Sequence, residues 1–363
     1  MKITAVEATP IFQVVRPDVA IISAAGSHPN SRYVIVTIRS DDGATGHGEA
    51  TVVAVWSGET QQSALHAIRE IIAPRLIGQD PRNIGALAGI MDRVLQGNPF
   101  TKAAVEMALL DLVGKKLGLP AYMLFGGPRR PPEIRLRFSI GAFAPDEAVR
   151  VALAAVAKGA RAVKVKVGLD PAIDVARVAA VRSAVGEGFR VAVDANCGWN
   201  ESDTLWAIPH LERLGISAIE QPIARGNFRG CARLRKRTNI PIMLDESIFT
   251  REDALEAIRQ EACDLISVYP GKNGGVLRSL EIAQMAETAG LRCTIGSNLE
   301  TDLGTAAMLQ LAIAMPALAA EVDHDVIGPL YYDTHPTNPP IQYREGYALV
   351  PDGPGFGVEL ITP

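Results

Sequence analysis

Four short stretches, Ala162-Val163-Lys164-Val165-Lys166, Val191-Ala192-Val193-Asp194-Ala195-Asn196, Ala218-Ile219-Glu220-Gln221-Pro222 and Ile242-Met243-Leu244-Asp245-Glu246-Ser247, each run apolar and then stop on a charged residue. Apolar runs of this length, bounded by polar residues and separated by helical stretches, read as buried strands. The ends Lys166, Asp194, Glu220, Asp245 and Tyr269 follow one another at 28, 26, 25 and 24 residues, which is one strand plus one helix per step. The runs Ile266–Tyr269 and Cys293–Ser297 continue the series. Such βα repetition predicts a parallel barrel, and a barrel gathers the C-terminal ends of its strands around one mouth, where active sites sit.

Outward from this core, the pattern changes twice. Residues 1–55 alternate apolar and polar, as in Tyr33-Val34-Ile35-Val36-Thr37-Ile38 before the turn Asp41-Asp42-Gly43, and predict an antiparallel sheet. Between 61 and 117 the period becomes helical: Val105, Ala108, Leu109, Leu112 and Val113 share one face. Gly118 and Pro120 end that helix, and Gly126-Gly127-Pro128 with Pro131-Pro132 reads as a connection. The expected organisation is an N-terminal α+β capping domain at 1–130 and a barrel at 131–330. A Pro- and Gly-rich segment at 331–363 is expected to return to the cap.

Composition excludes several classes. With 363 residues, 48% hydrophobic and 21% charged, the chain is globular rather than disordered. The net charge of −4 and the short basic pieces Arg129-Arg130 and Arg235-Lys236-Arg237 argue against nucleic acid as a partner. Its apolar stretches fall well short of the roughly 20 residues of a membrane span, and the N-terminus has no signal-peptide order, so a cytoplasmic protein is expected. Cys197, Cys231, Cys263 and Cys293 form no CxxC pair and are expected as reduced thiols.

In a strand, Lys164 and Lys166 share one face and Val163, Val165 and Val167 the other. If the valines pack on helices, two ammonium groups point into the barrel, which calls for anions beside them; a solvated edge or a structural salt bridge is the alternative. Asp194, Glu220 and Asp245 end three consecutive strands, and three converging carboxylates repel unless a cation joins them. Oxygen-only ligands suit Mg²⁺, with Mn²⁺ as a substitute, better than zinc. Separate helix N-caps are the other reading. A metal so placed can stabilise the enediolate formed when the carbon next to a carboxylate loses its proton. Lys166 would be the base, with Lys164 supplying a neighbouring charge.

These residues give the chain its resemblance to the muconate lactonizing enzyme subgroup of the enolase superfamily, related to mandelate racemase. The match runs nearly full length: Gly48-Glu49-Ala50-Thr51, Trp56-Ser57-Gly58-Glu59-Thr60, Ile77-Gly78-Gln79-Asp80 and Ala108-Leu109-Leu110-Asp111, then Lys164-Val165-Lys166, Asp194-Ala195-Asn196, Ile219-Glu220-Gln221-Pro222, Asp245-Glu246-Ser247 and Lys272-Asn273-Gly274-Gly275. The resemblance implies a modified (β/α)₇β barrel under an α+β cap, Mg²⁺ on Asp194, Glu220 and Asp245, acid/base chemistry at Lys166, a small carboxylate substrate and a homo-oligomer. One departure stands out. The family's second catalytic lysine, three residues before the lysine of Lys-Asn-Gly-Gly, is Tyr269 here. A racemase needs proton-transferring groups on both faces of the enediolate, whereas syn elimination or cycloisomerisation runs with one lysine.

The expected function is therefore a Mg²⁺-dependent isomerase or lyase, a cycloisomerase or syn-elimination lyase acting on a small carboxylic acid. A racemase, epimerase or dehydratase of an amino-acid derivative is the alternative, and a non-catalytic carboxylate-binding barrel a third. Tyr269 is read as a possible proton donor whose phenol a nearby Mg²⁺ would acidify, and Lys272 as a surface or loop lysine in preference to a swinging base. Asn196, Gln221, Ser297 and Glu300 lie at or just beyond strand ends, as candidates to hydrogen-bond the substrate or the groups that support the site. Asp323 and Asp325 resemble the paired aspartates that bind an ammonium group in dipeptide epimerases; a turn-capping role is the other reading. The segment Asp18–His28 stands where the family keeps its specificity loop, with Ile21, Ile22 and His28 as candidates.

Overall fold

The alternation at the N-terminus becomes β1 (Ile3–Val14), a hairpin of β2 (Ile21–Ser23) and β3 (Gly26–His28), β4 (Asn30–Ser40) and β5 (Thr45–Ala50). The structure, a computed structural model, describes residues 1–19 and 21–361; Ala20, within the expected specificity segment, and Thr362 and Pro363, at the end of the C-terminal segment, lie outside the described residues. Strands β1, β4 and β5 form one antiparallel sheet in that order. The helix Pro99–Leu117 lies against it and is buried almost throughout, because it is clasped from both sides. Ala104, Val105, Ala108, Leu109 and Leu112 join the cap's apolar cluster, while Ala103, Met107 and Leu110 join the barrel's. Gly48 allows the close approach: a Cβ there would stand 2.0 Å from the Ala104 carbonyl oxygen.

After β6 (Glu133–Arg135), seven parallel strands follow: β7 (Phe138–Ile140), β8 (Ala162–Lys166), β9 (Arg190–Asp194), β10 (Ile219–Glu220), β11 (Ile242–Leu244), β12 (Leu265–Val268) and β13 (Arg292–Ile295). Their spatial order is their chain order, the arrangement of right-handed βα units. An irregular eighth stave closes the ring. The Ala319 N–H donates to the Cys293 carbonyl and the Asp325 N–H to Ile295, while on the other side the Arg137 N–H donates to His324 and the His324 N–H to Arg135. Val163, Val165 and Val167 face the helices in the main core. Small and apolar inward residues, Ala192, Ala218, Met243, Leu265, Ala319 and Val322, fill the interior. The C-terminal strand Tyr347–Leu349 pairs with β6, and Phe356 N–H donates to Asp111 of the cap helix. No helix among the described residues is long and apolar enough to cross a membrane.

Cap and barrel are riveted by Glu49 at the end of β5. Its buried carboxylate accepts from Thr301 N (2.8 Å), Thr301 Oγ1 (2.5 Å) and Gly304 N (2.9 Å), and so caps the helix Asp302–Ala314, whose own N-cap Thr301 makes no side-chain cap bond. Glu49→Ala leaves those donors buried and unpaired, and we expect it to cost roughly 2–3 kcal/mol in urea unfolding. Burial, outweighing the hydrogen bonds of Thr301, pushes the Glu49 carboxyl up to about 7. A raised folded pKa means that the protonated form stabilises below the unfolded value and that this stability is lost as pH climbs through the folded one. Between about pH 4.5 and 7 the wild type should lose stability by up to about 1.4 kcal/mol per pH unit from this group, and Glu49→Ala should show a correspondingly flatter dependence.

Candidate active site

Parallel pairing sets the level of each functional side chain. Lys166 is in register with Asp194, and Asp194 with Glu220, so residues of β8, β9 and β10 that share register share a face and project inward together. Asp245 lies two positions beyond inward-facing Met243, just past the end of β11. Tyr269 follows Ser267 on β12 by the same parity. All five are brought to one mouth. Asp194, Glu220 and Asp245 are buried, at 1%, 1% and 4% exposure.

The carboxylates are met by ammonium and guanidinium groups. Lys166 Nζ donates to Asp194 Oδ2 at 2.6 Å and to Asn196 Oδ1 at 2.9 Å. Lys164 Nζ reaches Asp325 at 2.7 Å, Glu220 at 3.2 Å and Asp194 at 3.3 Å. Burial opposes the charge on Lys164, but Asp325 and Glu220 hold its pKa well above the ordinary value. Arg137 was not foreseen. Its guanidinium is fully buried, pairs with both oxygens of Asp325 (3.0 and 2.7 Å), and donates to Glu220 Oε2 at 2.7 Å. The signal was present in the run Leu136-Arg137-Phe138-Ser139-Ile140, where an arginine interrupts an apolar strand.

One expectation about the sixth strand needs correction. Lys272 is not a surface lysine: it is 0% exposed and donates to the Asp245 carboxylate and to the carbonyls of Asp245 and Ser267, both at 2.8 Å. The short helix Pro270–Asn273 reverses the chain and folds the side chain back under the mouth. Tyr269, whose phenol Mg²⁺ is expected to acidify, stands at the same strand end, and the protein groups around it by themselves favour the neutral phenol. Burial first, and then Asp245 and Glu300, push its pKa well above the usual phenol value. Its ring packs among Trp56, Phe100 and the cap cluster, and its hydroxyl is buried without a partner. Gly296 makes room for it: a Cβ there would lie 2.8 Å from the ring.

The expected ammonium-binding aspartates are separated. Asp323 pairs with Arg190, at the opening residue of β9, at 2.6 Å and with Arg135 at 3.3 Å, so it belongs to the end of the barrel away from the mouth. Asp325 does line the mouth, but Arg137 and Lys164 already neutralise it. Gln221 takes the supporting one of its two expected roles. It is fully buried and straps two strand ends, accepting from the N–H groups of Asp245 and Ser247 and donating to Ser247 Oγ and the Ile223 carbonyl. Glu300 is buried behind Ser297, whose hydroxyl donates to it at 2.6 Å, and burial pushes its carboxyl up to about 6.

A cavity of about 260 Å³ lies between this mouth and the cap. Lys164, Lys166, Asn196, Ser297 and Asp325 line its barrel side, and Ile21, His28 and Trp56 its cap side; Ile22, on the same hairpin, is exposed and does not line it. A larger cavity, about 650 Å³, opens on the other side of Trp56 and reaches Lys272.

The donor set can be tested against a metal. As the side chains lie, no three His, Cys, Asp or Glu residues among those described stand in a metal-holding group, because each carboxylate is turned onto a cation. The chemistry of the donors nevertheless fits a hard divalent ion: all are oxygens, and they press on one another. Burial, reinforced by Asp194, pushes Glu220 up to about 7. Burial with Asp245 and Asp194 pushes neighbouring Glu246 up to about 8, and Glu246 Oε2 is buried with no partner.

Comparison with known proteins agrees with this architecture over the whole chain. Residues 6–126 match the mandelate racemase / muconate lactonizing enzyme N-terminal domain, and residues 147–362 the enolase C-terminal domain-like family. The N-succinyl-L-Arg/Lys racemase of Bacillus cereus is 32% identical over 99% of this chain and 96% of its own. Muconate cycloisomerase 1 of Rhodococcus opacus is 33% identical with the same coverage. The crystal structure of a dipeptide epimerase from Cytophaga hutchinsonii, complexed with Mg and a dipeptide, superposes with a TM-score of 0.94 at 29% identity, covering 99% of this chain and 96% of that one. The cap and barrel architecture is thus shared with racemases, epimerases and cycloisomerases alike, and the chain belongs to the enolase superfamily, in its muconate lactonizing enzyme subgroup.

Proposed function

We propose that this enzyme removes the proton α to the carboxylate of a small acid and completes the reaction on one face, by syn elimination or ring closure. The observation that carries the proposal is the asymmetry of the mouth. Lys166 presents an amine to the cavity, while the position across the ring is Tyr269, whose hydroxyl is buried and unpartnered and does not line that cavity. Asp194, Glu220 and Asp245 would hold Mg²⁺, or Mn²⁺ in its place. The ion would supply positive charge to the substrate carboxylate as the enediolate forms.

The chain's own residues do the rest. Lys166, in its amine form, takes the α-proton, and the C–H electron pair moves toward the carboxylate. In elimination that pair then expels the β-substituent, which collects the proton from Lys166 on the same face; ring closure runs the reverse way, an internal nucleophile adding at the β-carbon of an α,β-unsaturated acid, the double-bond pair moving toward the carboxylate, and Lys166 in its ammonium form returning a proton to the α-carbon on that same face. Lys164 stays charged among Asp325, Glu220 and Asp194 and offsets the negative charge that develops above it. Asn196 fixes Lys166 from one side and Glu246 from the other, through its amide.

Incubation with a panel of carboxylates in D₂O should give an eliminated or cyclised product, or α-deuteration with retained configuration, that disappears on chelation of the divalent ion. Racemisation as the sole outcome would refute one-faced chemistry. The unpartnered Tyr269 hydroxyl favours a second reading, in which it delivers a proton to the opposite face of an epimerase substrate. Under the first reading Tyr269→Phe changes α-deuteration little. Under the second it abolishes inversion by roughly 10²-fold or more while exchange with retention persists.

A further inference from the structure

The walls of the cavity above Lys166 specify what kind of acid fits. Among the described residues lining it, the charged side chains are Lys164, Lys166 and Asp325, and each already has a partner: Asp325 is held by Arg137 and Lys164, and Lys166 by Asp194. From the cap the lining is Ile21, Val53, Val55 and Trp56 with the hydroxyls of Ser23 and Ser27 and with His28 as the titratable group, and Leu299 and Ile327 add apolar surface from the barrel. His28 Nε2 lies 2.9 Å from Ser31 Oγ, and burial lowers its pKa, so it is neutral near pH 7. The cap side therefore offers no free charge.

A charged group brought there would surrender its water and meet no counter-ion, a costly transfer. An uncharged apolar group would instead bury its surface against these apolar side chains. The reacting carboxylate is confined to the other end, where the lysines and the strand-end oxygens lie. We infer that the substrate is a monocarboxylate whose distal end is uncharged and mainly apolar, which excludes acids carrying a terminal ammonium, guanidinium or second carboxylate. This rests on the reaction proposed above and adds the substrate class to it. It also separates this chain from its Bacillus cereus relative, whose name specifies arginine and lysine derivatives.

The test is α-deuteration of matched probes by the Mg²⁺-loaded protein in D₂O, followed by NMR: both enantiomers of N-acetylleucine, N-acetyllysine and N-acetylglutamate, and the dipeptide Ala-Leu with its free ammonium. N-acetylleucine should exchange at least about tenfold faster, in kcat/KM, than every charged probe. Exchange that depends on Lys166 but favours a charged probe overturns this inference and leaves the reaction standing. Absence of exchange from all probes overturns the reaction, and the substrate class with it. A cavity variant supplies an independent arm: Ile21→Asp on the cap hairpin should raise the rate of N-acetyllysine relative to N-acetylleucine about tenfold, and an unmoved ratio counts against the inference.

Discussion

Replacing Lys166 with alanine should lower α-proton exchange by about 10²- to 10⁴-fold, the range for loss of a positioned general base, while leaving the fold intact. The side chain is near the cavity surface, at 12% exposure, and its partners are Asp194 and Asn196. Asp194 keeps Lys164 at 3.3 Å when Lys166 is removed, so no carboxylate is stranded. Circular dichroism and urea unfolding should therefore change little. Lys166→Arg should not rescue exchange, because a guanidinium stays protonated and cannot accept the proton. Divalent-ion binding, followed by calorimetry, should persist or tighten in Lys166→Ala, since the ammonium no longer competes for Asp194 Oδ2. Exchange that survives the substitution would remove Lys166 from the reaction. Exchange that wild type shows and the variant loses would equally exclude a barrel that merely binds carboxylates.

The sequence made the barrel legible because its strands are apolar runs that stop abruptly at polar residues on a steady period. That period alone identified Lys166, Asp194, Glu220, Asp245 and Tyr269 as neighbours in space. Parity within β8 separated the lysines from the valines. What the pattern could not convey was how the charges pair once they meet. Lys272 looked superficial because Pro270-Gly271 breaks the strand, yet the single helical turn that follows returns it to Asp245. Asp323 and Asp325 share a spacing of two and so look like one site, but the irregular eighth stave sends one to Arg190 at the far end and the other to Arg137 at the mouth. Pair assignments of this kind depend on partners 27 to 188 residues away, and no local motif encodes them.

Arg137→Leu should be the most destabilising single change at the mouth, by about 3–5 kcal/mol in urea unfolding, as expected when one partner of a buried ion cluster is deleted. The guanidinium is 1% exposed and makes three charge-assisted bonds, two to Asp325 and one to Glu220. Without it, both carboxylates must share Lys164, and Glu220, already pushed up to about 7 by burial, faces Asp325 with one cation fewer. Loss of packing contributes less, because leucine refills most of the apolar volume beside Met243 and leaves behind the NH1 group that lacked a partner. The second substitution that separates charge from packing is Asp325→Asn. If the cost of Arg137→Leu is an uncompensated carboxylate, the double variant should be more stable than Arg137→Leu alone, with a coupling of about 1–3 kcal/mol. Additive effects would show that Arg137 acts by filling space, and the charge-balanced mouth described for this barrel would have to be redrawn.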